Sequence, residues 1–210
     1  DGTVSKGTLV YNDLFTIYPF ENQMFIMSMT GEEIKNYLEY SYEGWINTVS
    51  DLKSAGKRNS DIHVLKIAPG KNLRYGLDNW SFVNRSYNFD SAAGINYTVD
   101  VTKPFGERIN IESMANGSSF EYDKSYKIAM TSYRASGGGN ILAEGAGIED
   151  AESRIIEKKE EYRELLLKYL QKHGSIDAKT IGNEEAIGKW SSIPAKAARK
   201  AIKRDLKLVF

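Results

Sequence analysis

Three consecutive glycines, Gly137, Gly138 and Gly139, place the strongest constraint on how this chain can fold. Glycine loses more backbone entropy on folding than any other residue, so a run of three is unfavourable inside a helix or strand. The run follows an apolar stretch at residues 126–130, which predicts a buried strand, and the aromatic residue Tyr133. We therefore expect a loop whose backbone passes very close to another group or adopts positive φ angles. A plain turn between two elements is the alternative interpretation.

The composition indicates a globular chain with its own hydrophobic core. Of the 210 residues, 41% are hydrophobic, enough for one large domain or a domain with an appendage. The 28 basic and 28 acidic residues balance, so no overall field attracts a nucleic acid or an anionic membrane. Because the chain has no cysteine, disulfides and thiolate chemistry are excluded. No apolar run reaches the roughly 20 residues that a membrane span needs.

A capping box marks the beginning of a helix in the first quarter of the chain. Thr30 is the predicted N-cap, and Glu33 stands three positions later. Apolar residues then recur at helical spacing until Gly44, where the helix is expected to end. Before the capping box, residues 23–29 form a continuous apolar run, which predicts a strand buried on both faces.

The middle of the chain predicts short strands separated by turns. An exposed loop is expected at residues 51–60, and strands follow between residues 62 and 100. Residues 95–101 alternate between apolar and polar side chains, and residues 108–111 are the expected hairpin partner. Strands and helices do not alternate regularly. We therefore predict an α+β fold, a mixed β-sheet with packed helices.

Two helices are predicted near the C-terminus. The first is a long amphipathic helix over residues 153–172, with Gly174 as its C-cap. The second covers residues 194–208 and is rich in basic residues, so contact with a membrane or a partner is possible in principle. We favour a solvated helix that docks on the domain through Ala197, Ile202 and Leu206. Residues 1–175 are expected to form the domain, and residues 176–210 a C-terminal extension of it.

Motifs for catalysis and metal binding are missing from the sequence. The two histidines, His63 and His173, are far from any acidic cluster, and no His-Glu-x-x-His or Cys-His pattern occurs. Without Gly-x-Ser-x-Gly there is no nucleophile elbow, and without Gly-Lys-Ser/Thr after the glycines there is no P-loop. Gly-Asn-Glu-Glu at residues 182–185 lacks the histidine of a metallophosphatase motif. We predict no catalytic residue and no metal site, although carboxylates and asparagines alone can hold a hard cation.

Two aromatic residues next to small residues are candidates for binding a planar ligand. Phe89 precedes the strand at residues 95–101, and Tyr133 follows the strand at residues 126–130. Two such rings could hold a base between them, and stacking is worth about 1–3 kcal/mol per base. Ordinary core packing is the alternative for both. Side chains that could form hydrogen bonds around the edge of the base are Asp90, Ser91, Arg134 and Asn140.

Six segments spread along the chain are specific in combination. They are Gly-Thr-Leu-Val-Tyr-Asn-Asp-Leu at residues 7–14, Thr-Gly-Glu-Glu-Ile-Lys at 30–35, Tyr-Asn-Phe-Asp at 87–90, Pro-Phe-Gly-Glu-Arg-Ile at 104–109, Ser-Tyr-Arg-Ala-Ser-Gly-Gly-Gly at 132–139 and Arg-Glu-Leu-Leu at 163–166. Through them the sequence resembles the C-terminal domain of the 5′-nucleotidase family over about residues 1–175. The segment at residues 132–139 resembles the 2′,3′-cyclic-nucleotide 2′-phosphodiesterase/3′-nucleotidase branch most, since plain 5′-nucleotidases usually have Gly-Gly-Asp in place of the three glycines.

The resemblance implies that this chain binds the nucleoside of a nucleotide ligand, with Phe89 and Tyr133 on either side of the base. It implies two divalent metal ions in an N-terminal metallophosphatase domain of the same polypeptide, which this chain lacks. The residues expected to bind substrate are Phe89, Tyr133, Asp90, Ser91, Arg134, Gly137, Gly138, Gly139, Asn140 and Asn22.

The implied parent is a bacterial hydrolase acting on 2′,3′-cyclic nucleotides and 3′-nucleotides in an extracellular, periplasmic or cell-wall location. The alternatives are a 5′-nucleotidase or UDP-sugar hydrolase, and a non-catalytic extracellular scaffold of the same fold. No nucleic acid polymer and no membrane span are expected. Because the chain begins with Asp1 and has no initiator methionine, we expect it to be a piece of a longer protein. We expect this piece to be inactive alone, because it lacks the metal-binding motifs of the family.

Overall fold

The computed structural model describes residues 4–49, 63–69, 80–175 and 187–209. The expectations at residues 51–60 and 182–185 lie outside these ranges. The α-helices are α1 Asp13–Ile17, α2 Gly31–Glu43, α3 Ser132–Ala135, α4 Tyr162–His173 and α5 Ala195–Val209. A π-helix covers Ile141–Gly145, and short 3₁₀ turns cover Ser86–Asn88, Gly138–Asn140 and Glu152–Arg154. The strands are β1 Gln23–Thr30, β2 Ile67–Pro69, β3 Trp80–Phe82, β4 Ile95–Asp100, β5 Ile109–Met114, β6 Ser125–Thr131, β7 Ile155–Glu161 and β8 Trp190–Ile193.

The described strands form three small sheets, and the predicted α+β class is confirmed. The first sheet has the order β6-β1-β7 and is antiparallel throughout. The second is the pair β2-β3. The third has the order β5-β4-β8 and is mixed, because β4 is antiparallel to β5 and parallel to β8. Helices of different lengths cover and connect these sheets.

Helix α2 links the first and third sheets and contributes to the main core. The capping box is formed as predicted: the Thr30 side chain accepts from the Glu33 amide, and the Glu33 carboxylate accepts from the Thr30 amide. The helix contacts β1, β5 and the π-helix. Buried side chains from these elements form one cluster, whose members include Phe25, Met27, Met29, Ile34, Leu38, Tyr42, Tyr97, Ile111 and Leu142.

A buried carboxylate on α2 supports the hairpin between β4 and β5. Glu39 is only 1% exposed. Its two oxygens accept hydrogen bonds from the backbone amides of Ile109, at 2.7 Å, and Gly106, at 3.0 Å. The Lys35 ammonium lies 3.3 Å from the same carboxylate. Glu39 therefore satisfies backbone donors that the hairpin cannot satisfy itself.

The two strands predicted as fully buried are only partly so. In β1, Phe25, Met27 and Met29 point to the core and are buried, while the alternate residues are partly exposed. Strand β6 has no buried residue, because it is the edge strand of its sheet and has only β1 as a neighbour. Antiparallel pairing places Ile128 beside Met27 and Tyr126 beside Met29, so the apolar face of β6 continues the core face.

The long helix predicted over residues 153–172 is wrong in its first half. Residues Ile155–Glu161 form strand β7, and only Tyr162–His173 are helical. The Glu and Lys residues of this segment favour a helix locally. Pairing with β1 overrides that preference, because it supplies backbone hydrogen bonds and completes the sheet. The predicted C-cap is confirmed, since Gly174 has a positive φ of 74° and donates to the Leu170 carbonyl.

The C-terminal helix is confirmed, but it docks through different residues from those predicted. Among the side chains of α5 whose burial is described, as far as Lys207, Ala198, Ala201 and Asp205 are buried, Ala197 is half-buried, and Ile202 and Leu206 are exposed. The Asp205 carboxylate accepts from the amides of residues 64 and 65, and its second oxygen lies 2.7 Å from His63 Nδ1. Small side chains and this polar anchor decide which face is buried. Strand β8, which precedes α5, was not predicted. The division of the chain into a domain at residues 1–175 and an extension at residues 176–210 stays a prediction.

Replacing Glu39 with alanine is expected to lower the free energy of unfolding by about 2–4 kcal/mol, because two backbone amides lose their acceptor. Urea denaturation measures the change. Glu32→Ala is the control in the same helix; Glu32 is exposed, so its loss is expected to change stability by no more than about 0.5 kcal/mol. Equal effects of the two substitutions would contradict the role given to Glu39.

Candidate functional site

An open cavity of about 1310 Å³ lies beside edge strand β6. It is lined by residues 126–131 of β6 together with Met29 and Ile34, and by Tyr87, residues 89–95 and Tyr133. Ligand sites in proteins are usually concave and mainly apolar, with a few polar groups that fix orientation. Aromatic side chains are frequent in this lining and include Tyr18, Tyr87, Phe89, Phe120, Tyr126 and Tyr133.

Phe89 is held firmly by the core at one side of the cavity. Its ring packs edge-on against Tyr42, with centroids 5.1 Å apart, and tilted against Trp45, at 5.3 Å. The side chain is half-buried and also lines the cavity. Phe89 therefore packs on the core, as the alternative interpretation expects, and also faces the cavity; its contact with a ligand stays a prediction.

Tyr133 is the more exposed of the two rings, with 45% of its surface accessible. It is in the first turn of α3, whose N-cap Thr131 accepts a hydrogen bond from the amide of Arg134 at 3.2 Å. The Tyr133 amide donates to the Asn22 side-chain oxygen at 3.2 Å. These contacts fix the backbone of Tyr133 while its ring remains accessible from the cavity.

Gly138 packs against Tyr133, Gly139 lies beside the Arg134 guanidinium, and the glycine run forms the sharp turn behind the ring. A Cβ added at Gly138 would lie 2.6 Å from carbon atoms of the Tyr133 ring, so only glycine fits there. Gly137 and Gly139 have φ angles of 88° and 75°, which disfavour other residues. The loop does what the sequence predicted: its backbone comes very close to an aromatic ring and adopts positive φ. Asn140, with φ of 58°, continues the left-handed turn.

An ion pair joins the two loops that carry Phe89 and Tyr133. Arg134 Nε lies 2.6 Å from Asp90 Oδ2, and a terminal nitrogen of Arg134 lies 3.1 Å from Asp90 Oδ1. The other donors of Arg134 reach the carbonyls of Gly138 and Tyr87, each at 2.9 Å, and the Asn88 side chain at 3.3 Å. The guanidinium is buried and also lies over the Tyr133 ring, at 5.3 Å from its centroid. Arg134 thereby fixes both loops in one geometry.

Helix α2 holds the other side of Asp90. The Tyr37 hydroxyl donates to the Asp90 carboxylate. Ser41 Oγ donates to the Asp90 carbonyl at 2.7 Å and accepts from its amide at 2.8 Å. Burial, and then the negative charge of Asp90, raise the pKa of Tyr37 well above its ordinary value of 10.0. Tyr37 is therefore a neutral donor throughout the physiological range.

The structure brings some of the predicted site residues together at the cavity and places others behind it. Asn22, Phe89, Asp90, Ser91, Tyr133 and Arg134 line the cavity, whereas Gly137, Gly138, Gly139 and Asn140 do not. Asp90 and Arg134, which the sequence predicts at the edge of a ligand, both line the cavity, and their polar atoms form hydrogen bonds with each other and with the loops. Ser91 is exposed at the rim.

Several cavity residues were not predicted from the sequence. Tyr126, Ile128 and Met130 line the cavity on β6, and Tyr18 and Tyr162 meet with centroids 5.2 Å apart. Burial in β6 alternates, with residues 126, 128 and 130 partly buried and Lys127 and Ala129 exposed, but apolar Ala129 interrupts the apolar/polar alternation that identifies a one-sided strand from sequence. Nothing in the sequence indicated that Tyr18 and Tyr162 lie at the same cavity.

Two other sequence expectations concern metals and membranes. Within the ranges that the structure describes, no cluster of three His, Cys, Asp or Glu side chains could hold a metal ion. No helix in those ranges is long and apolar enough to cross a membrane.

Replacing Arg134 with alanine is expected to destabilise the domain by about 3 kcal/mol, because Asp90 loses its partner and buried carbonyls lose their donors. Thermal and urea denaturation measure the loss. Arg134→Lys keeps the positive charge but not the planar guanidinium, and it is expected to destabilise the domain less than Arg134→Ala does. Arg85→Ala removes an exposed arginine near the same cavity and should leave the melting temperature unchanged. A wild-type melting temperature in Arg134→Ala would contradict this role.

The raised pKa of Tyr37 predicts a loss of stability in alkaline solution. An unfolded tyrosine releases its proton near pH 10, whereas folded Tyr37 retains it. The stabilisation is thus complete below pH 10 and falls as the pH rises above that value. Urea denaturation between pH 8 and about 11 should show a shallower decline for Tyr37→Phe than for the wild type. Equal slopes would refute the assignment to Tyr37.

Comparison with known proteins identifies the family of this chain. The family model "5′-nucleotidase, C-terminal domain" matches residues 1–144. The trifunctional nucleotide phosphoesterase YfkN of Bacillus subtilis is 28% identical over 221 residues, covering 97% of this chain and 12% of that protein. The 2′,3′-cyclic-nucleotide 2′-phosphodiesterase/3′-nucleotidase of Salmonella typhimurium is 30% identical over 147 residues, covering 64% of this chain and 20% of that protein.

Solved structures support the same fold. A 5′-nucleotidase from Staphylococcus aureus superposes with a TM-score of 0.53 at 19% identity, over 86% of this chain and 29% of that one. The NAD nucleotidase of Haemophilus influenzae gives a TM-score of 0.50 at 18% identity, over 88% of this chain and 26% of that one. This chain thus spans less than a third of each of these proteins. Since the family model matches well over half of its residues, the chain belongs to the 5′-nucleotidase family, as a C-terminal domain.

Proposed function

We propose that this chain is the substrate-binding domain of a metal-dependent hydrolase for 2′,3′-cyclic nucleotides and 3′-nucleotides. In this proposal it holds the base of the nucleotide between Phe89 and Tyr133. The observation that carries the proposal is that both rings line one cavity and belong to two loops locked together by the Arg134–Asp90 ion pair. Relatives acting on 2′,3′-cyclic nucleotides support the substrate class.

The geometry favours stacking of a flat ligand against Tyr133. The backbone of Gly138 lies against the Tyr133 ring, and Tyr133 still has 45% of its surface accessible and lines the cavity. Tyr133 and Phe89 are held by hydrogen bonds and core packing before any ligand binds. A site that is ordered in advance loses less entropy on binding, so more of the stacking energy contributes to affinity.

The polar groups that remain accessible define the contacts open to a nucleoside. Ser91 lies at the rim, and Asn22 and Glu21 line the cavity near Tyr133. The Asn22 side chain is already engaged within the protein, because its nitrogen donates to the Tyr18 hydroxyl and its oxygen accepts from Ser132 Oγ. We propose that Ser91 and Glu21 provide the hydrogen bonds to the sugar or the base edge, and that Asp90, Arg134 and Asn22 hold the loops.

We further propose that hydrolysis takes place in an N-terminal metallophosphatase domain of the same polypeptide. Two divalent metals there would supply a metal-activated hydroxide for attack on phosphorus. This chain would contribute orientation, because a base held in the cavity fixes the position of the attached phosphate ester. The small share of each relative that this chain covers supports a further domain. A location outside the cytoplasm is part of the proposal, and the absence of cysteine is compatible with it.

Isothermal titration calorimetry with 3′-AMP and adenosine tests the binding proposal. Tyr133→Ala is expected to weaken binding about tenfold or more, because one stacking contact is worth about 1–3 kcal/mol. Phe89→Leu keeps the core filled, removes the aromatic face and should weaken binding similarly.

The matched control is Phe105→Ala. Phe105 is 52% exposed and lies outside the cavity lining, so its removal should leave the affinity unchanged. Wild-type affinity in both Tyr133→Ala and Phe89→Leu would refute the base-stacking proposal. If the folded wild-type chain binds neither compound, the scaffold alternative replaces it.

A further inference from the structure

Helix α5 presents a row of basic side chains that the proposed nucleotide site does not use. At about 100° per residue, these side chains fall within an arc of about 100°, opposite the docked face. We call them the basic face; all are exposed, and its members are Lys196, Arg199, Lys200, Lys203 and Lys207. None of the five takes part in the ion pairs found among residues 4–49, 63–69, 80–175 and 187–209.

Two apolar side chains border the basic face on one side. Ile202 is 36% exposed and Leu206 is 48% exposed, and helical spacing places both next to Arg199. We call this pair the apolar rim. The sequence alone had suggested that these two residues dock the helix. Because Ala198, Ala201 and Asp205 dock it instead, the apolar rim is available at the surface.

The helix is fixed to the domain in a way that keeps this surface outward. The Asp205 carboxylate accepts from the amides of Val64 and Leu65, at 3.0 and 3.2 Å. Strand β8 enters the third sheet beside β4 immediately before the helix. Basic side chains from Lys196 to Lys207 are thus displayed over about 16 Å of a rigid helix.

From this surface we infer that the chain docks on an anionic lipid bilayer through α5. Exposed lysine and arginine attract acidic headgroups, and apolar side chains next to them insert at the boundary with the acyl chains. A nucleic acid would use the cations but gain nothing from Ile202 and Leu206, so the apolar rim favours lipid. The net charge of the chain is zero, so the attraction is local to this helix.

Sedimentation with vesicles tests the inference on the complete 210-residue chain. The chain should bind vesicles of phosphatidylglycerol and phosphatidylcholine in equal parts, and not vesicles of phosphatidylcholine alone. Each cation near an anionic surface is worth about fivefold in partitioning, so Lys200→Gln with Lys203→Gln should reduce binding roughly 25-fold. Salt at about 1 M should abolish it.

Two further double variants distinguish lipid docking from non-specific electrostatic binding. Lys6→Gln with Lys172→Gln removes the same charge from exposed positions on other elements and should leave vesicle binding unchanged. Ile202→Ser with Leu206→Ser should weaken vesicle binding and leave any binding to duplex DNA or polyglutamate unaffected. Circular dichroism confirms that each variant is folded.

Three results would overturn the inference. The first is that the chain does not sediment with the anionic vesicles, and the second is that it sediments equally with the neutral vesicles. The third is that the Lys6/Lys172 double variant loses as much vesicle binding as the Lys200/Lys203 double variant. Tighter binding to duplex DNA than to the anionic vesicles would assign the basic face to a nucleic acid instead. Because neither ring of the proposed nucleotide site lies on α5, calorimetry with 3′-AMP is expected to give the same affinity for all of these variants.

Discussion

The ion pair between Arg134 and Asp90 is the interaction on which the candidate site depends. The loop carrying Asp90 leads into the third sheet, and the loop carrying Arg134 follows an edge strand of the first. Nothing in the backbone hydrogen bonding of either sheet fixes the distance between these loops. A buried guanidinium does so, because its planar fork can reach a carboxylate and three other acceptors at once. Phe89 and Tyr133 are each adjacent to a member of this pair.

Helix α2 connects this local arrangement to the stability of the whole domain. Glu39 satisfies amides of the β4–β5 hairpin, while Tyr37 and Ser41, on neighbouring turns, hold Asp90. The same helix buries Leu38 and Tyr42 in the core. A rigid element that contributes both to the core and to the site keeps the cavity open without ligand. Buried polar groups of this kind are favourable only when their partners are all present, which explains why the network is so densely bonded.

The surface of α5 follows from a different balance of forces. A strongly amphipathic helix normally docks through its largest apolar side chains. Among the side chains of α5 described as far as Lys207, two alanines and an aspartate are buried; the carboxylate satisfies backbone amides, and the small side chains permit close approach. Ile202 and Leu206 remain exposed beside the basic face. The cavity beside β6 and this surface thus have separate physical origins.

The sequence by itself determined the elements that local signals encode. The capping box at Thr30, the alternation of β4 and the C-cap at Gly174 each involve residues close in the chain, and all were predicted correctly. The glycine run also indicated a close backbone approach before Tyr133 was known to be its partner.

Only the tertiary structure decided the remaining features. Residues 155–161 are a strand because β1 offers them hydrogen bonds, although their composition favours a helix. Strand β6 is partly exposed because it lies at a sheet edge. Arg134 forms an ion pair with Asp90, which is 44 residues away in the sequence. Such outcomes depend on contacts between distant segments, which local propensity and periodicity do not encode. The sequence therefore predicted the close backbone approach of the glycine run, and the packing of distant elements decided that Phe89 and Tyr133 line one cavity and how both rings are held.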